Sequence, residues 1–284
     1  MTYSLIAIDL DGTLLNDEKE IDKRSLQAIR EFEKNGGKVV ICSGRTPLAT
    51  RWIAETVALE SPIISLNGAI LHDEHGTLIT QKTFPHSALK QFVSFCSDEQ
   101  ICVHLYEGNH LIVPEENRWN KKWVNQNILP LIQTGAVLER RKAYLQECEV
   151  RVTPNLEKWL ENHPSISKMA IFSERGDFRA IEEKINTLLP HVEVASSSNY
   201  ANLEISPPGA TKGAALEDIA LRLGVPIAQT AAIGDNFNDI SMFRRAGIGI
   251  AMGNAPDLVK AAAHEVTAGN NDNGISEAIH FLMK

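Results

Sequence analysis

Short runs of consecutive apolar residues alternate along this chain with stretches in which apolar positions recur every three or four residues. The run that opens at Leu5 ends in Asp9, Asp11 and Gly12, and predicts a buried strand delivering two carboxylates to its C-terminal edge. Asp22 to Gly37 has Leu26, Ala28, Ile29 and Phe32 spaced for one face of a helix, with Gly36-Gly37 as its stop. Lys38 to Cys42 predicts a second strand, followed by Ser43-Gly44-Arg45-Thr46-Pro47, in which Thr46 can cap and Pro47 can open the helix running toward Val57. A third strand over Pro62 to Leu66 stops at Asn67-Gly68, and a hairpin is expected around His72 to Gly76. Strand, helix, strand, helix, strand is the order of a doubly wound parallel sheet.

From Phe84 the pattern loses its regularity. Strands are expected over 101–106, 111–114, 150–153, 168–173, 192–197 and 203–206, and helices over 87–97, 115–127 and 178–189, a mixture that predicts an α+β unit with its own core. After Pro207-Pro208-Gly209 the alternation resumes. Helices are expected over 211–223, 240–246, 256–263 and 275–283, with strands over 230–233 and 247–251. The expected architecture is α/β, a discontinuous core (1–83 and 209–284) interrupted by an inserted unit (84–208).

Composition narrows the function. The chain has 284 residues, 28 Lys and Arg against 36 Asp and Glu, and a net charge of −8, which argues against a broad surface for the phosphate backbone of a nucleic acid. No apolar stretch approaches the ~18 residues of a membrane span, and the N-terminus enters a strand without the features of a signal peptide. Four scattered cysteines (Cys42, Cys96, Cys102, Cys148) have neither zinc-ribbon nor disulfide-framework spacing. A cytoplasmic protein, monomeric or homodimeric, acting on a small ligand is the expectation.

The residues able to do chemistry fall at strand ends and helix starts: Asp9 and Asp11, Ser43, Lys212, and Asp235 with Asp239. A doubly wound sheet brings the C-terminal ends of its strands to one edge, where ligands bind. Carboxylates gathered there repel one another unless a cation neutralises them, and an all-oxygen donor set favours Mg2+. Lys212 lies in the first turn of its helix, where the dipole disfavours a cation unless an anion is beside it. Each feature alone has a plainer reading: an Asx turn at Asp9 to Gly12, a turn serine at 43, a solvated lysine at 212.

Taken together, Asp9-Leu10-Asp11-Gly12-Thr13-Leu14, Ser43-Gly44-Arg45, Lys212 and Gly234-Asp235-Asn236-Phe237-Asn238-Asp239 resemble, in order, the four motifs of the haloacid dehalogenase superfamily, and the chain resembles its Cof-type phosphatases. Asn67-Gly68-Ala69 and Ala251-Met252-Gly253-Asn254-Ala255 also match patterns of that subfamily, and residues 84–208 fall where its C2-type cap lies. The resemblance implies a Rossmann-like core and a Mg2+-dependent phosphomonoesterase. Its substrate would be a small metabolite such as a sugar phosphate, flavin mononucleotide or pyridoxal phosphate, reached under a cap that excludes macromolecules. Asp9 would attack phosphorus to form an aspartyl-phosphate. Asp11 would protonate the leaving alcohol and then activate water. The metal would be held by Asp9, the Asp11 backbone carbonyl and Asp235, with Asp239 in support. Ser43, Gly44, Lys212 and Asn238 would hold the phosphoryl group, with Arg45 beside them, although Arg45 could equally form a salt bridge across domains.

An acid working near neutral pH needs a raised pKa, which neighbouring carboxylates could supply for Asp11. Rival readings are a phosphosugar mutase with the same nucleophile and acid, a hydrolytic dehalogenase, and a non-catalytic phosphometabolite-binding module. A nicotinamide dehydrogenase is disfavoured because no GxGxxG follows the first strand. The segments Arg118 to Trp123 and Arg140-Arg141-Lys142 pair basic residues with aromatics or stand as charged loops, and read as solvated faces or as a phosphate-facing surface.

Overall fold

The structure, a computed structural model, describes residues 2–121, 150–173, 178–196 and 202–284. Trp123, Arg140 to Lys142, Cys148 and the later part of the helix expected over 115–127 lie outside the described residues.

The chain opens with β1 (Leu5–Ile8), whose four residues are all buried. A helix α1 (Lys23–Lys34) follows, and Asp22 caps it by accepting from the backbone N–H groups of Arg24 and Ser25 at 2.8 and 3.1 Å. Then come β2 (Lys38–Cys42), α2 (Pro47–Thr56), β3 (Ile63–Ser65), β4 (Ile70–His72) and β5 (Leu78–Gln81). Thr46 occupies the cap position of α2 without making a side-chain cap bond, so Pro47 alone marks that start.

The middle of the chain supplies α3 (His86–Asp98), β6 (Cys102–Glu107), β7 (His110–Val113), β8 (Val150–Val152), α4 (Leu156–Leu160), β9 (Lys168–Phe172), α5 (Phe178–Leu188), β10 (Glu193–Ser196) and β11 (Asn202–Ser206). The return is made by α6 (Lys212–Arg222), β12 (Thr230–Gly234), α7 (Ile240–Phe243), β13 (Ile248–Ala251), α8 (Asp257–Lys260), β14 (Glu265–Val266) and α9 (Gly274–Leu282). Helices α7 and α8 are shorter than the periodicity suggested. The two-residue strand β14 has no sequence signal, being a sheet edge with both residues exposed.

The first and last parts of the chain, 2–80 and 211–284, form one compact unit, and the described residues of 81–210 form another. These units divide at 80/81 and 210/211, where 83/84 and 208/209 were expected.

In the first unit the sheet order is β14-β13-β12-β1-β2-β3-β4-β5. The strands from β14 through β3 pair in parallel, and β3 pairs with β4 antiparallel. Strand order therefore reverses between β1 and β12, the point at which an open α/β sheet binds its ligand. Leu5, Ala7, Val40, Cys42 and Ile64 form one core with Leu216, Ile219, Met242 and Phe243 of α6 and α7. Ile6, Ile8, Val39 and Ile41 alternate to the other face, where α1 and α9 pack against each other and against β2 and β12.

The second unit is a sheet of order β10-β11-β9-β6-β7-β8, antiparallel except for the β7/β8 pair. Val103, Leu105, Met169, Ile171, Leu203 and Ile205 alternate onto the face covered by Leu89 and Phe92 of α3 and Ile181 and Ile185 of α5. The other face carries His104, Tyr106, Lys168 and Glu204. There Lys168 Nζ donates to Glu204 at 2.5 Å and lies 5.1 Å from the Tyr106 ring centre. Burial, with Lys168 nearby, pushes His104 down to about 3, so its imidazole is neutral.

Candidate active site

The first unit brings the ends of β1, β2 and β12 and the start of α6 together. Asp9 follows β1, and its backbone N–H continues the ladder by donating to Ile233 at 3.0 Å. Asp235 follows β12, with Asp239 four residues on at the head of α7. Carboxylate oxygens of Asp9, Asp235 and Asp239 lie within 4.8 Å of one another, all three residues buried.

Lys212 enters this cluster from the first position of α6 and is 1 % exposed. Its Nζ donates to Asp9 Oδ1 at 2.5 Å and to Asp239 Oδ1 at 2.6 Å. Burial by itself would favour the neutral amine, but Asp239 and Asp9 outweigh it and hold the ammonium charged. The unfavourable helix-start position is thus compensated by two anions.

The three acids are not equivalent. Asp239 is committed on both oxygens, since Oδ2 accepts from the backbone N–H groups of Asp235 and Asn236, each at 2.9 Å, while Oδ1 holds Lys212. Asp235 gives one oxygen to the Thr13 hydroxyl at 2.9 Å, and Asp9 gives one to Lys212. Burial pushes the Asp9 carboxyl well up against the pull of Lys212, and Asp239 and Asp235 push in the same direction as burial. Burial, followed by Asp239, takes Asp235 up to about 7 despite Thr13 and Lys212. Three buried acids facing one ammonium leave a deficit of positive charge. The donors are all oxygens, and the pair with oxygens to offer is Asp9 and Asp235. This set fits a hard divalent cation, with Asp239 as the support that orients Asp235 and Lys212.

Gly12 makes the approach of the β1 and β12 ends possible. Its φ is +79°, and a Cβ there would run into the Asp235 carboxylate. Ser43, at the end of β2, is buried, and its Oγ accepts from the backbone N–H of Arg45 at 3.1 Å. Asn238 Nδ2 donates to Asn67 Oδ1 at 3.0 Å, and Asn67 N–H donates to the Ser43 carbonyl at 3.0 Å. The Asn67-Gly68 turn thus ties the β2 end to the β12 loop, with Asn67 itself left-handed at φ 58°.

Two expectations change. Asp11 is not among the clustered acids and its carboxyl is not raised. Arg45 Nε donates to Oδ2 at 2.7 Å and Nη2 to Oδ1 at 2.6 Å, and Lys19 Nζ donates to Oδ1 at 2.9 Å. Desolvation would raise this carboxyl, but the bidentate Arg45 contact and then Lys19 pull it well below the ordinary carboxylate range. Arg45, expected beside the phosphate-holding groups or in a salt bridge across domains, forms its salt bridge inside the first unit, to Asp11. Lys19 carries no periodic or motif signal and reaches Asp11 only because the 16–20 turn, with Lys19 at φ 63°, folds back over the strand end.

An α/β core with carboxylates and a buried lysine at its switch point defines a class, and the sequence comparisons agree with it. The profile of the haloacid dehalogenase-like hydrolases matches residues 6–279, and the chain belongs to that family. It is an enzyme of the phosphoric monoester hydrolase class. It is 29 % identical to phosphatase YwpJ of Bacillus subtilis, over 98 % of this chain and 99 % of that protein. It is 31 % identical to the 5-amino-6-(5-phospho-D-ribitylamino)uracil phosphatase YwtE of the same organism, over 98 % and 97 %. The solved structure of the subclass IIB sugar phosphatase BT4131 superposes with a TM-score of 0.81 at 26 % identity, covering 98 % of each chain. No described helix is long and apolar enough to cross a membrane.

Proposed function

We propose that this enzyme hydrolyses phosphomonoesters of small metabolites by transferring the phosphoryl group to Asp9, with Mg2+ held by Asp9, Asp235 and the Asp11 backbone carbonyl. The observation that carries the reading is the buried Lys212 ammonium bridging Asp9 and Asp239 beside Asp235 at the β1/β12 switch point. When bound, the metal supplies positive charge for the equatorial phosphoryl oxygens and relieves the repulsion among the acids.

The residues of the chain do the rest. Lys212 holds and orients the Asp9 carboxylate, one oxygen of which forms the bond to phosphorus while the ester P–O bond breaks. The departing alkoxide takes a proton from Asp11. Water then attacks phosphorus, Asp11 receives its proton, and phosphate leaves with Asp9 restored as carboxylate. Arg45 and Lys19 suit Asp11 to this second step, because they favour the ionised form that accepts a proton. To serve as the acid in the first step, Asp11 must exchange at least one of these donors for a proton. Ser43, Gly44 and Asn238 complete the cradle, along with Lys212.

The names of the relatives support ribityl and sugar phosphates as the substrate class, and flavin mononucleotide and pyridoxal phosphate belong to the same size range. The thiols at Cys42, Cys96 and Cys102 are unpaired, which supports a reducing cytoplasm.

The test is an acid quench during turnover of a 32P-labelled ester with Mg2+. The wild type is expected to yield a phosphoenzyme cleaved by hydroxylamine, as an acyl phosphate is. Asp9→Asn is expected to yield none and to lose at least about a thousandfold in kcat. Turnover of Asp9→Asn at the wild-type rate would overturn the nucleophile. Ranking phosphorylated metabolites by kcat/KM then identifies the substrate.

A further inference from the structure

The stretch Ala251-Met252-Gly253-Asn254-Ala255 has no role in the mechanism above, yet its asparagine reaches back to the segment after β1. Asn254 Nδ2 donates to the Gly12 carbonyl at 2.8 Å, and Asn254 Oδ1 accepts from the backbone N–H of Asn270 at 2.9 Å. Asn270 Nδ2 in turn donates to the Leu15 carbonyl and to Asp17 Oδ1, both at 3.2 Å. Asn271 and Asp17 close the pattern: Asn271 Nδ2 donates to Asp17 Oδ2 at 3.0 Å, and the Asp17 N–H donates to Asn271 Oδ1 at 3.1 Å. Three asparagines from two loops thereby hold the segment 12–17 at Gly12, Leu15 and Asp17.

The bond at Gly12 has the most consequence. The Gly12–Thr13 peptide is gripped on both sides, its carbonyl by Asn254 and its N–H by the Leu10 carbonyl at 3.2 Å, while the Thr13 hydroxyl bonds Asp235. Gly12 also packs against the Asp235 carboxylate closely enough to exclude a Cβ. The next peptide toward the strand carries the Asp11 carbonyl. A shift of the Gly12 and Thr13 backbone on loss of the Asn254 bond would displace the adjoining peptide that carries the Asp11 carbonyl and the residue whose hydroxyl bonds Asp235.

We propose that Asn254 is a positioning residue for the divalent cation: it fixes the Gly12–Thr13 peptide, and through it the Asp11 carbonyl and Asp235, without touching the ion. This rests on the metal reading above. Groups that orient metal-holding atoms from one bond away commonly account for a 10- to 100-fold change in affinity. Asn254 is exposed and acts through the backbone, so about tenfold is expected.

The experiment is a calorimetric titration of MgCl2 into the full-length, substrate-free protein, for the wild type, Asn254→Ala and Asn254→Asp. Asn254→Asp retains an acceptor for the Asn270 N–H and removes the donor to Gly12. Its added negative charge alone would tighten cation binding, so the sign of the change separates positioning from charge. Both variants are expected to bind Mg2+ about tenfold more weakly, with kcat returning to within about threefold of wild type once Mg2+ saturates. If Asn254→Ala fails to fold, Asn254→Asp decides alone. Wild-type affinity, or tighter binding, in a folded variant overturns the role of Asn254 and leaves the proposed function standing. A wild type that takes up no Mg2+ overturns the metal reading, and this inference with it.

Discussion

Replacing Asp239 by asparagine tests whether this acid organises the charged cluster. Asp239 is fully buried and accepts three hydrogen bonds, from Lys212 on one oxygen and from the Asp235 and Asn236 N–H groups on the other. An asparagine amide has one acceptor end, so its NH2 must face either the Lys212 ammonium or two backbone N–H donors. Breaking a buried ion pair by removing one partner costs about 3–5 kcal/mol. Lys212 keeps Asp9, and the loss of one of three mutually repelling acids offsets part of the cost, leaving about 2–3 kcal/mol. For a chain of this size that is a fall in Tm of roughly 5–10 °C. Urea denaturation followed by circular dichroism, without Mg2+, measures it.

A second readout follows from Asp235. Its folded pKa of about 7 lies above the unfolded value near 4, so the folded state holds a proton that the unfolded chain has released. The stability this provides is present below about pH 4 and is lost as pH rises through 7, by up to about 4 kcal/mol in the Mg2+-free protein. Asp239 is the largest charge contributing to that shift, so Asp239→Asn should flatten the slope as well as lower the plateau. A variant as stable as wild type, with the slope unchanged, would refute the assignment of Asp239 as the organising acid.

Two further outcomes are expected. Arg45→Gln removes the bidentate contact on Asp11, so the Asp11 carboxyl rises toward the ordinary range and, because the first step needs Asp11 protonated, the basic limb of the pH–kcat/KM profile moves to higher pH; a limb that stays in place means that Asp11 does not titrate in the reaction. His104 is neutral in the fold with a pKa of about 3 against 6.5 unfolded, so stability is lost as pH falls from about 6.5 toward 3, by up to about 5 kcal/mol. His104→Phe, which keeps a ring against Phe172, should flatten the acid limb of the Tm–pH curve, and an unchanged limb would exclude His104 as its source.

The local elements were legible because their causes are local. The β1 run, the Asp22 cap, Pro47 at the start of α2 and the amphipathic spacing of α1 depend on side chains within a few positions of each other. The chemical inventory was legible for a similar reason: Asp9, Ser43, Lys212, Asp235 and Asp239 all stand at strand ends or helix starts, where chain direction alone exposes them. Pairing was not legible, because the pairs are distant in sequence. Lys212 is 203 residues from Asp9, Asn254 is 242 from Gly12, and Arg45 is 34 from Asp11. Periodicity cannot choose among such partners, and so the sequence suggested that neighbouring acids would raise the Asp11 carboxyl. The fold surrounds it with Arg45 and Lys19, which lower it. The sequence by itself determined which residue types reach the edge of the sheet. Only the tertiary structure, by setting β12 beside β1 and folding the 16–20 turn back, decided which charges meet there, since a carboxylate's proton affinity depends on what lies within a few ångströms and not on its neighbours along the chain.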